Sequence, residues 1–327
     1  MKYTELGRTG ERVSVCPLGG MKFGTALDHD TVFSLLDTYR ERGGNFVDTA
    51  NMYAFWLSDD PNDNGGASEA VLGQWLKDRG ARDEMVITTK VGNVTSHRMA
   101  REGTCLKADY IVSECEGSLE RLGIEQIDLY FAHVDDRSTP LEETMEAFSK
   151  LQRQGKIKHI GASSWRGWRL EQARHLCESQ SLLNFCCVQQ KYSYLQTHVG
   201  ESGLSSIPYC DHSFQDYCIT HDLTMFGWEP LLAGMYLEGR PLGDCKYDYR
   251  LPNNERRREV LYEVAGELGA GPLQVVLAWM LHSDPPVYPV VAADNSTQLN
   301  EDLDAIELAL DESQMRRLNE APLLPAD

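Results

Sequence analysis

Short apolar runs alternate with helical patterns along almost the whole chain, and this alternation limits the fold more than any other feature of the sequence. Near-continuous apolar strands are typical of parallel sheets whose two faces are covered by helices. Eight strand–helix units favour a closed (β/α)8 barrel over an open sheet, although the count alone leaves both open. The strand-like runs are residues 13–18, 46–48, 85–89, 127–132, 157–162, 185–189, 223–226 and 287–291.

Start and stop signals for helices fall between these runs. Residues 139–142 (TPLE) form a capping box with proline at the first helical position, and Gly155 is placed to end that helix. Ser68 is expected to cap a second helix, and Pro272 to open a third. Because no segment reads as an interdomain linker, we expect residues 1–327 to form one barrel domain.

Charge and hydropathy restrict the possible partners. The chain has 31 Lys and Arg residues against 50 Asp and Glu residues, a formal net charge of −19. Such a chain repels nucleic acid and anionic membranes. No segment approaches the roughly 20 apolar residues that span a bilayer, and the N-terminal residues lack the apolar run of a secretory signal. We therefore expect a cytoplasmic protein that acts on a small molecule; the sequence leaves its oligomeric state open.

Cysteine usage argues against disulfide and metal frameworks. The nine cysteines are odd in number and include no CxxC pair. Cys210 and His212 have no partners at metal-ligand spacing. Residues 60–65 resemble the start of a calcium loop, but Val71 stands where that loop needs its last acidic residue. We expect no metal site.

Four titratable residues lie at or just beyond the ends of predicted strands. Asp48, Lys90 and His133 each end a strand, and Tyr53 follows Asp48 by five positions. The carboxyl ends of barrel strands meet at one mouth, where loops build the active site. The long breaks at residues 54–67, 195–214 and 239–255 are expected on the same face.

These four residue types match the needs of carbonyl reduction, in which a proton donor must stand beside a hydride donor. A lysine cation next to a tyrosine favours the phenolate and so eases proton release. Asp48 can hold Lys90, and His133 can orient the substrate oxygen through a hydrogen bond. Taken singly, the Asp48–Lys90 pair also fits a structural ion pair, and His133 a core histidine.

The motifs around these residues resemble the aldo-keto reductase superfamily, over nearly the whole chain. The similar segments are LGRTGERVSV, PLGGMKFG, NFVDTANMY, ITTKVG, SLERLGIEQIDLYFAH, GKIKHIGASSW, VQQKYSYL and QLNEDLDAIELAL. The resemblance implies an α/β fold, a (β/α)8 TIM barrel with an N-terminal β-hairpin and its active site at the C-terminal mouth. It also implies a catalytic tetrad of Asp48, Tyr53, Lys90 and His133, with Tyr53 as general acid. The implied activity is NAD(P)(H)-dependent interconversion of an aldehyde, ketone or sugar carbonyl and its alcohol.

The resemblance also marks cofactor positions. Ser163 and Ser164 match a Ser-Asn pair that holds the nicotinamide carboxamide, with Ser164 replacing the asparagine, and Gln189 matches the glutamine that completes this contact. Trp228 aligns with the aromatic residue that stacks on the nicotinamide ring, although a core position is an alternative. The next segment resembles the loop that covers the pyrophosphate, and it contributes Glu229, Pro230, Leu231, Ala233 and Gly234.

One departure concerns the choice between NADP(H) and NAD(H). Relatives that bind the 2′-phosphate of NADP use lysine, serine or arginine before the final helix, but residues 292–298 (AADNSTQ) contain no cation. Helix-start amides and the hydroxyls of Ser296 and Thr297 could still bind a phosphate. Asp294 and Asp302 would repel a phosphate, and Gln298 stands where arginine is common. A cation from Arg256 or Arg257 would offset this. The resemblance implies NADP, and the local charges imply weak 2′-phosphate contacts.

The substrate pocket and the physiological role are less constrained. Five side chains lie just past strand ends and are expected to line the pocket: Met21, Phe23, Phe55, Trp56 and Trp165. An alternative function is a cofactor-binding regulatory subunit, like the reductase-fold β subunits of potassium channels, in which turnover is secondary. The complete tetrad favours the enzyme.

Overall fold

A computed structural model of the chain describes residues 1–53, 55, 65–94, 103–196, 208–243 and 249–321. The strands within these ranges are β1 (Tyr3–Glu5), β2 (Arg12–Ser14), β3 (Leu18–Gly19), β4 (Phe46–Asp48), β5 (Val86–Val91), β6 (Asn93–Val94), β7 (Gly103–Thr104), β8 (Ile127–Ala132), β9 (Ile157–Ser163), β10 (Phe185–Lys191), β11 (Thr224–Trp228) and β12 (Tyr288–Pro289). The helices are α1 (His29–Glu41), α2 (Ala67–Arg79), α3 (Ala108–Leu122), α4 (Leu141–Arg153), α5 (Gly167–Gln180), α6 (His212–Thr220), α7 (Pro252–Leu268), α8 (Pro272–His282), α9 (Ser296–Asp304) and α10 (Glu312–Glu320).

Eight parallel strands form one closed sheet. They pair in the order β3-β4-β5-β8-β9-β10-β11-β12. Leu18 of β3 forms a parallel bridge with Val291, just past β12. Two backbone hydrogen bonds complete the closure, from the Gly19 amide to the Val291 carbonyl (2.7 Å) and from the Val291 amide to the Pro17 carbonyl (3.0 Å). The predicted (β/α)8 barrel is confirmed.

The N-terminal hairpin packs against the end of the barrel opposite the mouth. Strands β1 and β2 are antiparallel, as expected. Leu6 and Val13 join Phe46, Leu129 and other residues at the strand starts in a buried cluster inside the barrel. Gly7 has a φ of +56°, and a Cβ there would lie 2.5 Å from the Cys186 carbonyl oxygen, so this approach requires glycine. The hairpin therefore seals the barrel floor and leaves chemistry to the mouth.

Burial explains why the strand sequences are almost continuously apolar. Every residue of β5 and β8 is buried, because helices cover the outside of the barrel and side chains from other strands fill the inside. The few polar side chains on these strands must therefore find partners within the protein. That requirement shapes the site at their carboxyl ends.

Three predicted boundaries were wrong, for local physical reasons. The run 13–18 is divided between β2 of the hairpin and β3 of the barrel. Pro140, not Thr139, is the N-cap of α4, because the Thr139 hydroxyl donates to Asp136 Oδ2 (2.6 Å). Ser68 lies inside α2, and its hydroxyl donates to the Gly20 carbonyl (2.7 Å), so it ties the helix to the β3–α1 loop.

Within the described ranges, no single helix is long and apolar enough to cross a membrane. One pair, α7 with α8, passes that test jointly by length and composition, with a bend of 96° between the two helices.

Candidate active site

Lys90 links the residues that the sequence placed at two neighbouring strand ends. Its ammonium donates to Asp48 Oδ2 (2.7 Å), to the Thr49 carbonyl (2.8 Å) and to the Tyr53 hydroxyl (2.8 Å). Lys90 is fully buried and Asp48 is 3% exposed. Because β4 and β5 are adjacent and parallel, their carboxyl ends bring these side chains together. The predicted contact of Asp48, Tyr53 and Lys90 is present.

Asp48 is held from two further sides. The Thr88 hydroxyl donates to its Oδ1 (2.9 Å), and the Gln189 amide donates to the same oxygen (3.1 Å). Together with Lys90, these donors satisfy the buried carboxylate and fix its orientation. Thr88 and its role were missed in the sequence, where the threonines of ITTK read only as strand formers.

The protonation states follow from burial and from the Asp48 charge. Removal of the Tyr53 phenol from water, together with the nearby Asp48 charge, raises its pKa well above 10. Burial lowers the pKa of Lys90, while Asp48 opposes that shift. The Lys90 cation was expected to favour the phenolate, but burial and the Asp48 charge outweigh that effect and leave the pKa of Tyr53 raised. Asp48 offsets the ammonium charge, and the phenol keeps its proton at neutral pH.

His133 completes the group from the end of β8. Its ring lies edge-on to the Tyr53 ring, with centroids 5.8 Å apart. Burial, and secondly the Lys90 charge, lower the pKa of His133 well below 6.5. Its Nδ1 is buried and has no hydrogen-bond partner among the described residues. The imidazole is therefore neutral and can donate one hydrogen bond and accept another.

A second layer of polar groups supports the back of the site. Glu69 of α2 is fully buried. It accepts from the Thr89 hydroxyl (2.5 Å) and from Arg121 Nε (2.6 Å). Thr89 precedes Lys90 on β5, so this buried network fixes the strand that carries the lysine. Arg121 supplies the charge that an isolated buried carboxylate would require.

The predicted nicotinamide contacts lie on β9, β10 and β11, around the same mouth. Ser163 ends β9 and is buried, while Ser164 is half-buried in a left-handed conformation with a φ of 60°. The Ser164 amide donates to the Gln189 carbonyl (3.1 Å). Trp228 ends β11 and is half-buried. The hydroxyls, amide and aromatic face that a nicotinamide needs are present, although the Gln189 amide is bonded to Asp48.

The segment after Trp228 is conformationally unusual. Glu229, Leu232 and Ala233 all have φ values near +50° (54°, 49° and 52°). Left-handed non-glycine residues cost about 1–2 kcal/mol each, so three within five positions must be held by their surroundings. One such contact joins Glu229 Oε2 to Lys191 Nζ (3.2 Å). Pro230 and Leu232 are buried, whereas Glu229 and Ala233 are exposed.

Asp294, Gln298 and Asp302, the residues predicted to lie near the 2′-phosphate, mark what we call the adenosine end of the mouth. The structure brings a cation to this end that the sequence did not reveal. Lys22, in the β3–α1 loop, donates to Asp294 Oδ1 (2.6 Å), with side chains 39% and 56% exposed. Gln298 Oε1 accepts from the Asp294 amide (3.0 Å). Asp302 is buried instead, and its Oδ2 has no hydrogen-bond partner among the described residues. Burial, and secondly the Glu301 charge, raise the Asp302 pKa to about 7.

The arginines considered for this end have other partners. Arg257 is 7% exposed, donates to the Tyr194 carbonyl (3.1 Å), and lies over the Tyr194 ring. Arg256 pairs with Glu259 on the same helix (2.9 Å). Lys22 is therefore the cation that the structure brings to Asp294.

The predicted substrate-pocket residues fall into different environments. Phe23 and Trp165 are each 1% exposed and pack in the core, whereas Met21 is 40% exposed. Phe55 is half-buried, and Trp56 lies outside the described residues. Within the described ranges, no group of three or more His, Cys, Asp or Glu side chains is placed to hold a metal ion.

Comparison with solved structures gives the same architecture. The structure of a thermostable aldo-keto reductase, Tm1743, in complex with the inhibitor epalrestat matches this chain with a TM-score of 0.75 and 28% sequence identity. The match covers 98% of this chain and 100% of that one.

Sequence comparisons identify the family. An uncharacterized oxidoreductase, YrpG, from Bacillus subtilis (strain 168) is 32% identical, covering 98% of this chain and 95% of that protein. A putative voltage-gated potassium channel subunit beta from Schizosaccharomyces pombe is 29% identical, covering 92% of this chain and 87% of that protein. The model of the aldo/keto reductase family matches residues 17–322. With the barrel and the mouth geometry described above, these matches show that the chain belongs to the aldo/keto reductase family, a family of oxidoreductases that use NAD(P)H.

Proposed function

We propose that this protein interconverts an aldehyde, ketone or sugar carbonyl and its alcohol, with NADP(H) or NAD(H) as hydride carrier and Tyr53 as general acid and base. In this proposal, residues 1–327 form one barrel domain. The protein would be cytoplasmic and would act on a small molecule. The observation that carries the proposal is the position of the Lys90 ammonium, between Asp48 Oδ2 (2.7 Å) and the Tyr53 hydroxyl (2.8 Å).

Each side chain has a separate task in this proposal. Tyr53 holds a proton at its hydroxyl and gives it to the carbonyl oxygen as that oxygen gains charge. Lys90 donates to the Tyr53 oxygen and stabilises the phenolate that remains. Asp48 keeps Lys90 in place, and the neutral His133 donates a hydrogen bond that orients the substrate oxygen.

The residues at the mouth fit a nicotinamide dinucleotide. Ser163, Ser164 and Gln189 offer hydroxyl and amide groups for a carboxamide, and Trp228 offers an aromatic face for the ring. The loop from Glu229 to Gly234 would cover the pyrophosphate. When bound, such a cofactor supplies the hydride, and the protein contributes binding, orientation and the proton.

The protonation state of Tyr53 at neutral pH suits carbonyl reduction better than alcohol oxidation. A phenol whose pKa lies well above 10 is protonated at neutral pH and is ready to act as an acid. Alcohol oxidation needs the phenolate at the start, so its rate should rise with pH over the neutral range. We therefore expect kcat for alcohol oxidation to depend more steeply on pH near 7 than kcat for carbonyl reduction.

A regulatory, cofactor-binding subunit is the second candidate, and the potassium channel subunit beta among the relatives is the observation that favours it. The assembled contacts of Asp48, Tyr53 and Lys90 favour the enzyme. The test is nicotinamide absorbance at 340 nm with a panel of aromatic and aliphatic aldehydes, ketones and sugars, each with NADPH and NADH. Steady oxidation that needs the carbonyl supports the enzyme. Tight dinucleotide binding without turnover of any carbonyl or alcohol would support the regulatory subunit.

A further inference from the structure

We infer that Lys191 is a positioning residue for the dinucleotide: its buried ammonium fixes the Trp228 ring and neutralises Glu229, so that a polyanionic cofactor can bind beside that carboxylate. This inference rests on the proposed function, because it assumes that Trp228 and Glu229 border the dinucleotide. It concerns a residue that has no part in the Asp48–Tyr53–Lys90 group.

Lys191 carries a buried charge that needs partners inside the protein. It is 2% exposed and ends β10, two residues after Gln189. Taking an ammonium out of water is strongly unfavourable unless nearby charges or aromatic faces compensate. A lysine at this position must therefore serve partners, and three of them lie at the barrel mouth.

The first partners are two aromatic rings. The Lys191 ammonium lies 5.4 Å from the centroid of the Trp228 ring and 5.7 Å from that of the Tyr249 ring. Both distances are within the range of attraction between a cation and an aromatic face. Lys191 and Trp228 are also register partners on adjacent strands. The cation thus restricts the ring whose face is offered to the nicotinamide.

The third partner is Glu229, through the 3.2 Å contact with its Oε2. The Glu229 side chain is 44% exposed at the mouth and carries a negative charge next to the place proposed for a pyrophosphate. An unpaired carboxylate there would repel the cofactor. Paired with Lys191, the same side chain holds the left-handed start of the loop from Glu229 to Gly234 without a net negative charge.

The inference predicts whether each substitution weakens or strengthens dinucleotide binding. In Lys191→Met the chain length is kept, but Glu229 becomes an unpaired anion and the Trp228 ring loses its cation, so dinucleotide binding should weaken at least tenfold. In Glu229→Gln the neutral side chain remains beside Lys191 and the negative charge is gone, so dinucleotide binding should be unchanged or up to threefold tighter. The double variant should return to within about threefold of the wild type, because the repulsion is removed.

The experiment measures dissociation constants for NADPH and NADH by quenching of tryptophan fluorescence, with thermal melts of each cofactor-free variant. Lys158→Met is the matched control. It removes one positive charge near the amino end of β9, where Lys158 pairs with Asp128 (3.0 Å), and it should leave both dissociation constants unchanged. A merely structural lysine would lower the melting temperature without this pattern in the dissociation constants.

Several results would overturn the inference. One is a dissociation constant for Lys191→Met within threefold of the wild type; another is a double variant as weak as the single one. Weakening by more than threefold in Glu229→Gln would do so too, and this exposed substitution should fold even if Lys191→Met does not. If the wild type binds neither dinucleotide, the inference and the proposed function both fail. The predicted binding pattern without any turnover leaves the inference standing and overturns the proposed function alone.

Discussion

Two parts of the mouth differ in how far their charged pairs are exposed to solvent. They are the proton-donor corner, which contains Asp48, Tyr53 and Lys90, and the proposed adenosine end, which contains Lys22 and Asp294. At the corner, Asp48 and Lys90 are buried and bonded to each other. At the adenosine end, Lys22 and Asp294 form an ion pair whose side chains are 39% and 56% exposed. Buried charges interact strongly and tolerate little change, whereas exposed pairs are worth about 0–1 kcal/mol. The chemistry should therefore be hard to alter, and the choice of cofactor easy.

The largest expected effect comes from the corner. Tyr53→Phe removes the proton donor and leaves the ring, so kcat for carbonyl reduction should fall at least about 100-fold while the dissociation constant for the cofactor stays the same. Steady-state kinetics and a binding titration on the same preparation measure both quantities.

Tyr288→Phe is the matched control for that variant. Its hydroxyl bonds to Thr4 of the N-terminal hairpin (3.0 Å), away from the mouth, and activity should be retained. Near-normal turnover by Tyr53→Phe would show that the phenol is not the acid and would remove the contrast between the two regions.

Asp302 is the exception at the adenosine end, because it is buried there and no cation among the described residues compensates its charge. Its pKa is raised from 3.8 to about 7 by burial and by Glu301. A carboxyl with a raised folded-state pKa favours the folded state most at low pH, and that contribution is lost as the pH rises from about 4 to about 7. Asp302→Asn should therefore stabilise the protein at pH 8, by about 2 kcal/mol when half of that rise in pKa is taken as effective.

Chemical denaturation at pH 4.5 and pH 8 tests this prediction. The gain from Asp302→Asn should be several times larger at pH 8. Asp304→Asn is the control on the same helix, because Asp304 is exposed and pairs with Arg42 (2.7 Å); its effect should be small at both values. An equal effect of Asp302→Asn at the two pH values would mean that the carboxyl titrates normally.

Trp228 lies between the two regions in exposure, and its expected effect is intermediate as well. Trp228→Ala should weaken cofactor binding by about 1 kcal/mol, roughly fivefold, through loss of ring stacking. Fluorescence energy transfer from the remaining tryptophans to a reduced cofactor measures the dissociation constant. An unchanged constant would assign Trp228 to the core, the alternative that its half-buried position leaves open.

The two parts of the mouth also differ in how well the sequence predicted their residues. The site residues could be read from the sequence because β5 and β8 are buried and mostly uncharged, so Lys90 near the end of β5 and His133 just past β8 stand out. Lys191 ends the amide-bearing strand FCCVQQK in the same way, and this signal was overlooked. Lys22 carried no such signal, because its pairing with Asp294 spans most of the chain and depends on closure of the barrel. Thr139 and Ser68 were misassigned because their hydroxyls bond to distant partners instead of to their own helices.

The smallest expected effect concerns cofactor choice, and it tests whether the exposed end is adjustable. Asp294 pairs with the ammonium of Lys22, and in the proposed site its carboxylate would also repel a 2′-phosphate. Asp294→Asn should remove the repulsion and release Lys22, so affinity for NADP should rise about threefold, below the 1 kcal/mol limit of an exposed pair, with no change for NAD. Lys22→Met should shift NADP affinity the other way. Isothermal titration with both dinucleotides gives the ratio of the NAD and NADP dissociation constants for each variant.

Without a stronger cation, the wild type should prefer NADP by less than about 100-fold, which corresponds to 2.7 kcal/mol. A larger preference, unaffected by either substitution, would mean that the 2′-phosphate is held by residues other than this pair and that the adenosine end is as firmly built as the proton-donor corner.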